Sequence, residues 1–501
     1  MYDALIYPIK KIKLQYVPLL IIYFSYGCSV FSNIGLSFFI KENLTLSAEQ
    51  LIAIGIWLSL PWNIKMVIGQ FVDCIPILGS SRKSYVYIAA LMMIIGSVLL
   101  IGLAGQWPML LYYLSPNTIY FLSSLFTILG FVIQDVVADA LSIEVVNTNN
   151  KSSLEVDQEL AIVQLLGRLS FGLGVLIVSG LGGWLAEILT YQQLFILTLI
   201  IPIISILGVT YIKIKQSSRS KINFTVIIGG ILYATVVIFI GISNITYSQE
   251  IVFLISLIII ITLLRSICKN IPKQTLIIIF SASLMLFLFR ASPQPGPAVQ
   301  WFMVDTLQFS KNFFGTMSQV GALVSIIFMY LFAKKITSYP IRIVIFWIII
   351  IGFFLDLPLI ALSYGLHEWT FEHFGIGAKT IALLNNAIES PFAQLAMIPM
   401  LALIAKYAPK NNRATWFALM ASLMNLALTA GDLISKYINL GFKVSREIRN
   451  EKYDIIVYAN YDNLSFLLIV CSLVSLIIPL LGVYFYFKKT QSKSDSKYQA
   501  H

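Results

Sequence analysis

Eight charged residues fall inside otherwise apolar stretches of the chain. Asp135, Asp139, Asp356, Glu389 and Asp432 are acidic; Lys65, Arg168 and Arg290 are basic. One such group at the centre of a bilayer costs roughly 2.5–3.5 kcal/mol on insertion scales, so it is expected to face a protein interior or a water path and to have a task there. Because the acids outnumber the bases, at least one carboxyl has to carry a proton part of the time, unless the surplus reaches water. That is the requirement for proton coupling. Glu389 lies about eleven residues into its run, roughly 17 Å along a helix and close to the midplane. Asn385 stands one turn before it, and Pro391 follows closely, where it loosens the backbone. Glu389 is therefore the first candidate for coupling; the plainer reading is a carboxyl hydrogen-bonded across helices for packing. Asp135 and Asp139 are four apart and share a helix face. Lys65 and Arg168 lie at similar depth, so the four could form an inner gate or proton relay; the plainer reading is that Asp139 simply reaches water.

Arg290 precedes Ser292-Pro293-Gln294-Pro295-Gly296-Pro297, whose prolines forbid continuous helix. Broken helix at membrane depth is tolerated where it lines a cavity or is buried in protein. Arg290 could clamp a substrate carboxylate bidentately, or pair with Asp356 or Asp432 to close the outer side. Pro293, Pro295, Asp356 and Asp432 are thus gating candidates. Ser29, Asn33, Asn385 and Asn425 could hydrogen-bond a small solute, with Trp62, Trp301 or Tyr26 as stacking surfaces, although each aromatic taken alone fits a core role better. Gly167, Gly174, Gly182 and Gly183 suit close helix packing. The mixed-charge stretch 443–454 reads as a solvated outer segment.

These residues need a scaffold, and composition names it. Of 501 residues, 58% are hydrophobic and 11% are Asp, Glu, Lys or Arg, against about 25% charged in soluble domains. A soluble enzyme, a disordered chain and a secreted disulfide scaffold are excluded. About fourteen apolar runs are long enough to cross a bilayer: 18–40, 50–70, 85–105, 118–143, 160–183, 192–213, 224–244, 250–268, 274–302, 313–334, 341–364, 378–406, 412–437 and 463–487. They group as six, two and six. The expected domains are an N-terminal six-helix bundle (1–216), a two-helix central insertion (217–272) that packs against lipid, a C-terminal six-helix bundle (273–490) and a tail (491–501). The net charge of +11 reports topology and not nucleic acid, because Lys and Arg gather in alternate loops; both termini are expected in the cytoplasm. Cys28, Cys74, Cys268 and Cys471 lack metal-site spacing. No metal or cofactor is expected. No phosphate-binding GxxxxGK[ST] is present, which disfavours ATP-driven pumping.

The loop Gly69-Gln70-Phe71-Val72-Asp73 followed by Gly79-Ser80-Ser81-Arg82-Lys83 resembles the loop signature of the major facilitator superfamily, with extra residues after Asp73. It makes Asp73, Arg82 and Lys83 candidates for a gating latch; the plainer reading is a capped loop bearing basic residues. Pro61-Trp62-Asn63-Ile64-Lys65, Arg82-Lys83-Ser84-Tyr85, Gln134-Asp135-Val136-Val137-Ala138-Asp139-Ala140-Leu141 with Glu144, Ala291-Ser292-Pro293, Ile398-Pro399-Met400-Leu401 and Ala414-Thr415-Trp416-Phe417 resemble the folate–biopterin transporter family of that superfamily. The chain departs from its pattern in the two-helix insertion and in Pro409-Lys410-Asn411-Asn412-Arg413. The resemblance implies 6+6 helix bundles and symport of a folate, a pterin or a related anionic solute by alternating access. Transport of nucleotides or another small metabolite is the alternative, and a polytopic membrane enzyme a weaker one. A monomer in a bacterial inner membrane is expected.

Overall fold

The computed structural model describes residues 12–63, 65–77, 80, 82–146, 153–210, 224–243, 245–269, 272–338, 341–406, 413–449 and 455–498. Its helices are α1 (Leu14–Asn43), α2 (Ala48–Asn63), α3 (Lys65–Cys74), α4 (Lys83–Ala104), α5 (Pro108–Tyr113), α6 (Pro116–Glu144), α7 (Ser153–Ile188), α8 (Tyr191–Leu197), α9 (Ile200–Thr210), α10 (Phe224–Ile242), α11 (Ser248–Ile267), α12 (Lys273–Arg290), α13 (Ala298–Asp305), α14 (Lys311–Ser338), α15 (Ile341–Ser363), α16 (Leu366–Phe374), α17 (Ala378–Lys406), α18 (Arg413–Gly441) and α19 (Leu464–Tyr498). Each of the fourteen apolar runs overlaps this helical framework, the run 274–302 being divided between α12 and α13. Ten stretches of the described residues are long and apolar enough to cross a bilayer; the other four runs coincide with α10, α14, α17 and α18. The protein is an all-α, multi-pass membrane protein.

The chain divides into two compact units. The first comprises Met1–Leu44, Ile64–Thr235 and Ser310–Ala322; the second comprises Thr45–Asn63, Val236–Phe309 and Leu323–His501. The predicted helix 50–70 is thus shared, α2 counting with the second unit and α3 with the first.

In the first unit α1 crosses α7 where glycine faces backbone. A Cβ on Gly27 would lie 2.1 Å from the Phe171 carbonyl oxygen, and one on Gly174 would lie 2.5 Å from that of Phe24. Only glycine permits such an approach, as the glycines of the fifth run suggested. Around this crossing Tyr16, Leu19, Ile22, Val86, Val137, Leu141 and Val163 form one buried cluster.

The second unit is built on Ile278, Met285, Leu286, Ile349, Trp416, Met420 and Leu426, all buried. The insertion helices expose Ile231, Leu232, Phe239 and Ile258, the faces expected for lipid. Their other face is not idle. Ile240 and Val252 pack with Trp57 and Leu60 of α2, and Lys436 of α18 donates to Glu250 and Gln249 at 2.8 Å each. Tyr437 donates to the same Glu250 oxygen at 2.6 Å.

The segment 443–454 departs from its solvated reading. After α18 the chain forms a small antiparallel pair, β1 (Ile448–Arg449) with β2 (Ile455–Val457). Arg446, just before it, is only 2% exposed, with its guanidinium 4.9 Å from the Trp301 ring centre. Burial pulls its pKa down to about 10, which nearby Asp305 partly opposes. Residues 450–454 lie outside the described set.

Candidate functional site

The charged residues gather in two groups, one in each unit. In the first unit Lys65 opens α3, and its ammonium donates to Asp135 Oδ2 and to Asp139 Oδ2, 2.5 Å from each. The i, i+4 spacing on α6 sets both carboxylates on one face, so a single lysine can bridge them. The lysine side chain is 18% exposed, that of Asp135 15% and that of Asp139 53%. Asp139 is thus the more exposed of the two acids, and it is also paired. Arg168, on α7, is exposed and acts on Asp135 through its charge. The cluster has one further member that spacing gave no reason to select: Tyr23 of α1, whose hydroxyl donates to Asp139 Oδ1 at 3.3 Å.

The loop signature is folded by its arginine. Arg82 is buried and donates to Glu144 at the end of α6, from Nη2 to Oε1 at 2.5 Å and from Nε at 3.2 Å. Its Nη1 donates to the Val72 carbonyl at 3.0 Å. Tyr85 donates to the carbonyls of Phe71 and Ile75, at 2.8 and 2.9 Å, adding to the Ile75 N–H that already reaches Phe71 at 3.0 Å. Lys83 donates to the Thr210 carbonyl at 3.3 Å. These contacts all lie within the first unit. The Asp73 side chain and Gly79 lie outside the described residues.

The second unit holds Arg290, Asp356, Glu389 and Asp432. Asp356 of α15 accepts from the Ser472 hydroxyl of α19. Glu389 of α17 is exposed and accepts from Asn385 one turn earlier, at 3.4 Å. Asp432 of α18 is half-buried. Among the described residues no ion pair joins these three acids to a base. Arg290 closes α12, where a cation complements the helix dipole.

The break that follows is bonded to α18 and α19, with Pro293 buried and Gln294 and Gly296 exposed. Pro293 and Pro295 keep their carbonyls satisfied: Ser475 of α19 donates to Pro293 at 3.1 Å and Asn439 of α18 to Pro295 at 3.4 Å. Gln294 donates its N–H to Ser435 at 2.8 Å, and Gly296 adopts φ 70°. Three polar side chains thus replace the bonds that the prolines deny.

The hydrogen-bonding candidates divide in the same way. Asn425 donates to the Trp62 carbonyl at 3.1 Å, capping the end of α2. Ser59 and Thr429 share a hydrogen bond of 2.9 Å, and Asn63 donates to Thr429 at 3.4 Å. In α1, Ser29 is half-buried and Asn33 exposed. The Tyr26 ring packs on Phe131 and Phe171 at 5.6 and 5.2 Å, a core contact like that of Trp301. Sequence reading missed Tyr23, Ser435, Asn439, Ser472 and Ser475. Their signal, a hydroxyl or amide within an apolar run, is shared by many residues that only bond their own helix, such as Thr235 to Ile231 at 2.9 Å.

The sequence model of the BT1 family matches residues 27–500. Among known proteins, the chain is similar to a folate-biopterin transporter of Synechocystis, 25% identical over 94% of this chain and 81% of that one. It is also similar to folate transporter 1 of Plasmodium falciparum, 22% identical over 95% of this chain and 80% of that one. Among solved structures, it resembles a peptide transporter of the POT type crystallised with sulfate, with a TM-score of 0.64 at 14% identity, covering 94% of each chain. At that identity the likeness speaks for the fold alone, a major facilitator-type one.

Proposed function

Because the chain belongs to the BT1 family, and is a transporter and not an enzyme, we propose that it moves a folate or pterin across the membrane by proton-coupled alternating access. The substrate class rests on the names of the relatives, a folate-biopterin transporter and a folate transporter. The coupling rests on one observation: a single lysine bridges two carboxylates. With both acids ionised the bridged three groups sum to −1, a charge that nearby Arg168 offsets, and either acid can take up a proton. Protonating either acid removes one of Lys65's two ionic partners and loosens α3 from α6. In this reading the N-terminal bundle (1–216) carries the coupling group, residues 273–490 carry the acids of α15, α17 and α18, and residues 217–272 are a docked insertion. The protein works as a symporter and a monomer in a bacterial inner membrane, both termini in the cytoplasm, with Arg290 holding a substrate carboxylate.

The test is uptake by purified protein in liposomes. Labelled folate or pterin should accumulate when an inward proton gradient is imposed and equilibrate without one. Uptake indifferent to the gradient removes the coupling, and preference for a nucleotide in a ligand-stabilisation screen replaces the substrate; bound ligand raises apparent stability by mass action.

A further inference from the structure

The two carboxylates that share Lys65 are not equivalent. Asp139 uses both oxygens, Oδ2 accepting from Lys65 at 2.5 Å and Oδ1 from the Tyr23 hydroxyl at 3.3 Å. Asp135 uses one: Oδ2 accepts from Lys65, and among the described residues Oδ1 carries no hydrogen bond. The Asp139 side chain is also 53% exposed and that of Asp135 15%. A donated hydrogen bond favours the ionised form of a carboxyl, and enclosure the neutral form.

Tyr23 is fixed where it can make this distinction. Its ring is 8% exposed and lies over Gly167, where an added Cβ would meet ring atoms Cε2 and Cδ2 at 2.7 and 2.8 Å. Glycine at 167 leaves room for the ring against α7, with its hydroxyl on Asp139. The charged and titratable groups acting on Asp135 are Lys65 from α3, Asp139 on its own helix, Arg168 from α7, and Tyr23 and Tyr26 from α1.

We propose that the coupling proton is carried by Asp135, on Oδ1, while Asp139, held by Tyr23, stays ionised as the permanent partner of Lys65. This rests on the proton-coupled reading above. A proton from water adds to Oδ1 and makes Asp135 neutral; Lys65 then relies on Asp139 alone; the reverse step returns the proton to water. Tyr23 is a positioning residue, since it acts through Asp139.

The experiment compares folate accumulation and folate exchange in liposomes as a function of pH. Asp135→Asn should lose gradient-driven accumulation yet retain exchange at a reduced rate. Asp135→Glu, which keeps the carboxyl, should accumulate folate with an altered pH profile. Asp139→Asn should still accumulate, with the pH of half-maximal uptake lower by about one unit, tenfold in proton concentration, because a like charge beside Asp135 is gone. Tyr23→Phe should move that pH upward, by roughly threefold in proton concentration, as Asp139 loses its donor and competes for the proton. Gly167→Ala, which alters no titratable group, should move it in the same direction by displacing the ring. Accumulation lost in Asp139→Asn but kept in Asp135→Asn overturns the assignment, as do unshifted profiles in both Tyr23→Phe and Gly167→Ala. If the wild type itself shows no gradient-driven accumulation, the coupled reading has failed, and this assignment with it.

Discussion

Replacing Lys65 by methionine keeps the length of the side chain and removes its charge. The structure sets the cost. Asp135 and Asp139 would be left four residues apart on one helix face, both aimed at an apolar side chain. Removing one partner of a buried pair costs about 3–5 kcal/mol. The Asp139 arm is half exposed and takes the value of a surface pair, about 0–1 kcal/mol. The Asp135 arm is the enclosed one and dominates, so the loss should be about 3 kcal/mol near neutral pH. In a unit of this size that lowers the melting temperature by roughly 6–12 °C. The dependence on pH has a definite sign. The penalty exists only while the carboxylates are ionised, so the gap between wild type and Lys65→Met should be full at pH 8 and close as pH falls into the carboxylate range. Adding Asp135→Asn to Lys65→Met should restore most of the loss, because a neutral pair needs no cation. Intrinsic fluorescence during heating, across a pH series in detergent, reads all three proteins. An equal gap at pH 5 and pH 8, or no recovery in the double variant, would refute the reasoning.

Other positions give independent tests. Gly27→Val should destabilise the first unit by about 1–3 kcal/mol through overpacking, since even a Cβ there would sit 2.1 Å from the Phe171 oxygen; thermal unfolding in detergent measures it. Glu250→Gln removes the charge that Lys436 and Tyr437 both address, and should raise hydrogen exchange at the start of α11 while leaving the core of α4 and α6 protected. Arg446→Lys should cost about 1–2 kcal/mol on heating, because a compact, strongly hydrated ammonium replaces the weakly hydrated guanidinium 4.9 Å from the Trp301 ring centre. Ser435→Ala together with Ser475→Ala should cost about 1–3 kcal/mol for each unpaired backbone group in the break after α12, read as a lower melting temperature with no change at Gly27.

Much of this was legible because a bilayer leaves a chain few choices. Backbone groups must be satisfied within each segment, so long apolar runs become helices; the run 274–302 is the one that a break divides, between α12 and α13. Depth was legible as well: Lys65, Asp135, Asp139 and Arg168 were placed at one level by counting residues, and three of them are ion-paired. Direction was less legible. Glu389 stands first by depth, yet its side chain is exposed and, among the described residues, is hydrogen-bonded by Asn385 alone, while the closed ionic bridge forms at Asp135. Counting along a helix fixes height and relative angle on that helix; which neighbour fills the face depends on how helices cross, and here glycines such as Gly27, Gly167 and Gly174 set those crossings.

The segment around Arg446 makes the same point from outside the membrane. Polar composition over 443–454 argued for solvent, and most residues there have nothing to bury. One arginine nevertheless found Trp301 on a helix about 145 positions earlier, an encounter no local pattern encodes. The break after α12 is the complementary case. The prolines announced that helix had to stop, but the bonds replacing it come from Ser435, Asn439 and Ser475, residues with no local reason to be singled out. Sequence thus exposes a demand, a missing donor or an unpaired charge, more readily than it exposes the group that meets it. The proposed division between Asp135 and Asp139 has that form. The surplus of acids predicts that a carboxyl must take a proton; the Tyr23 hydroxyl on one acid and the open oxygen on the other decide which.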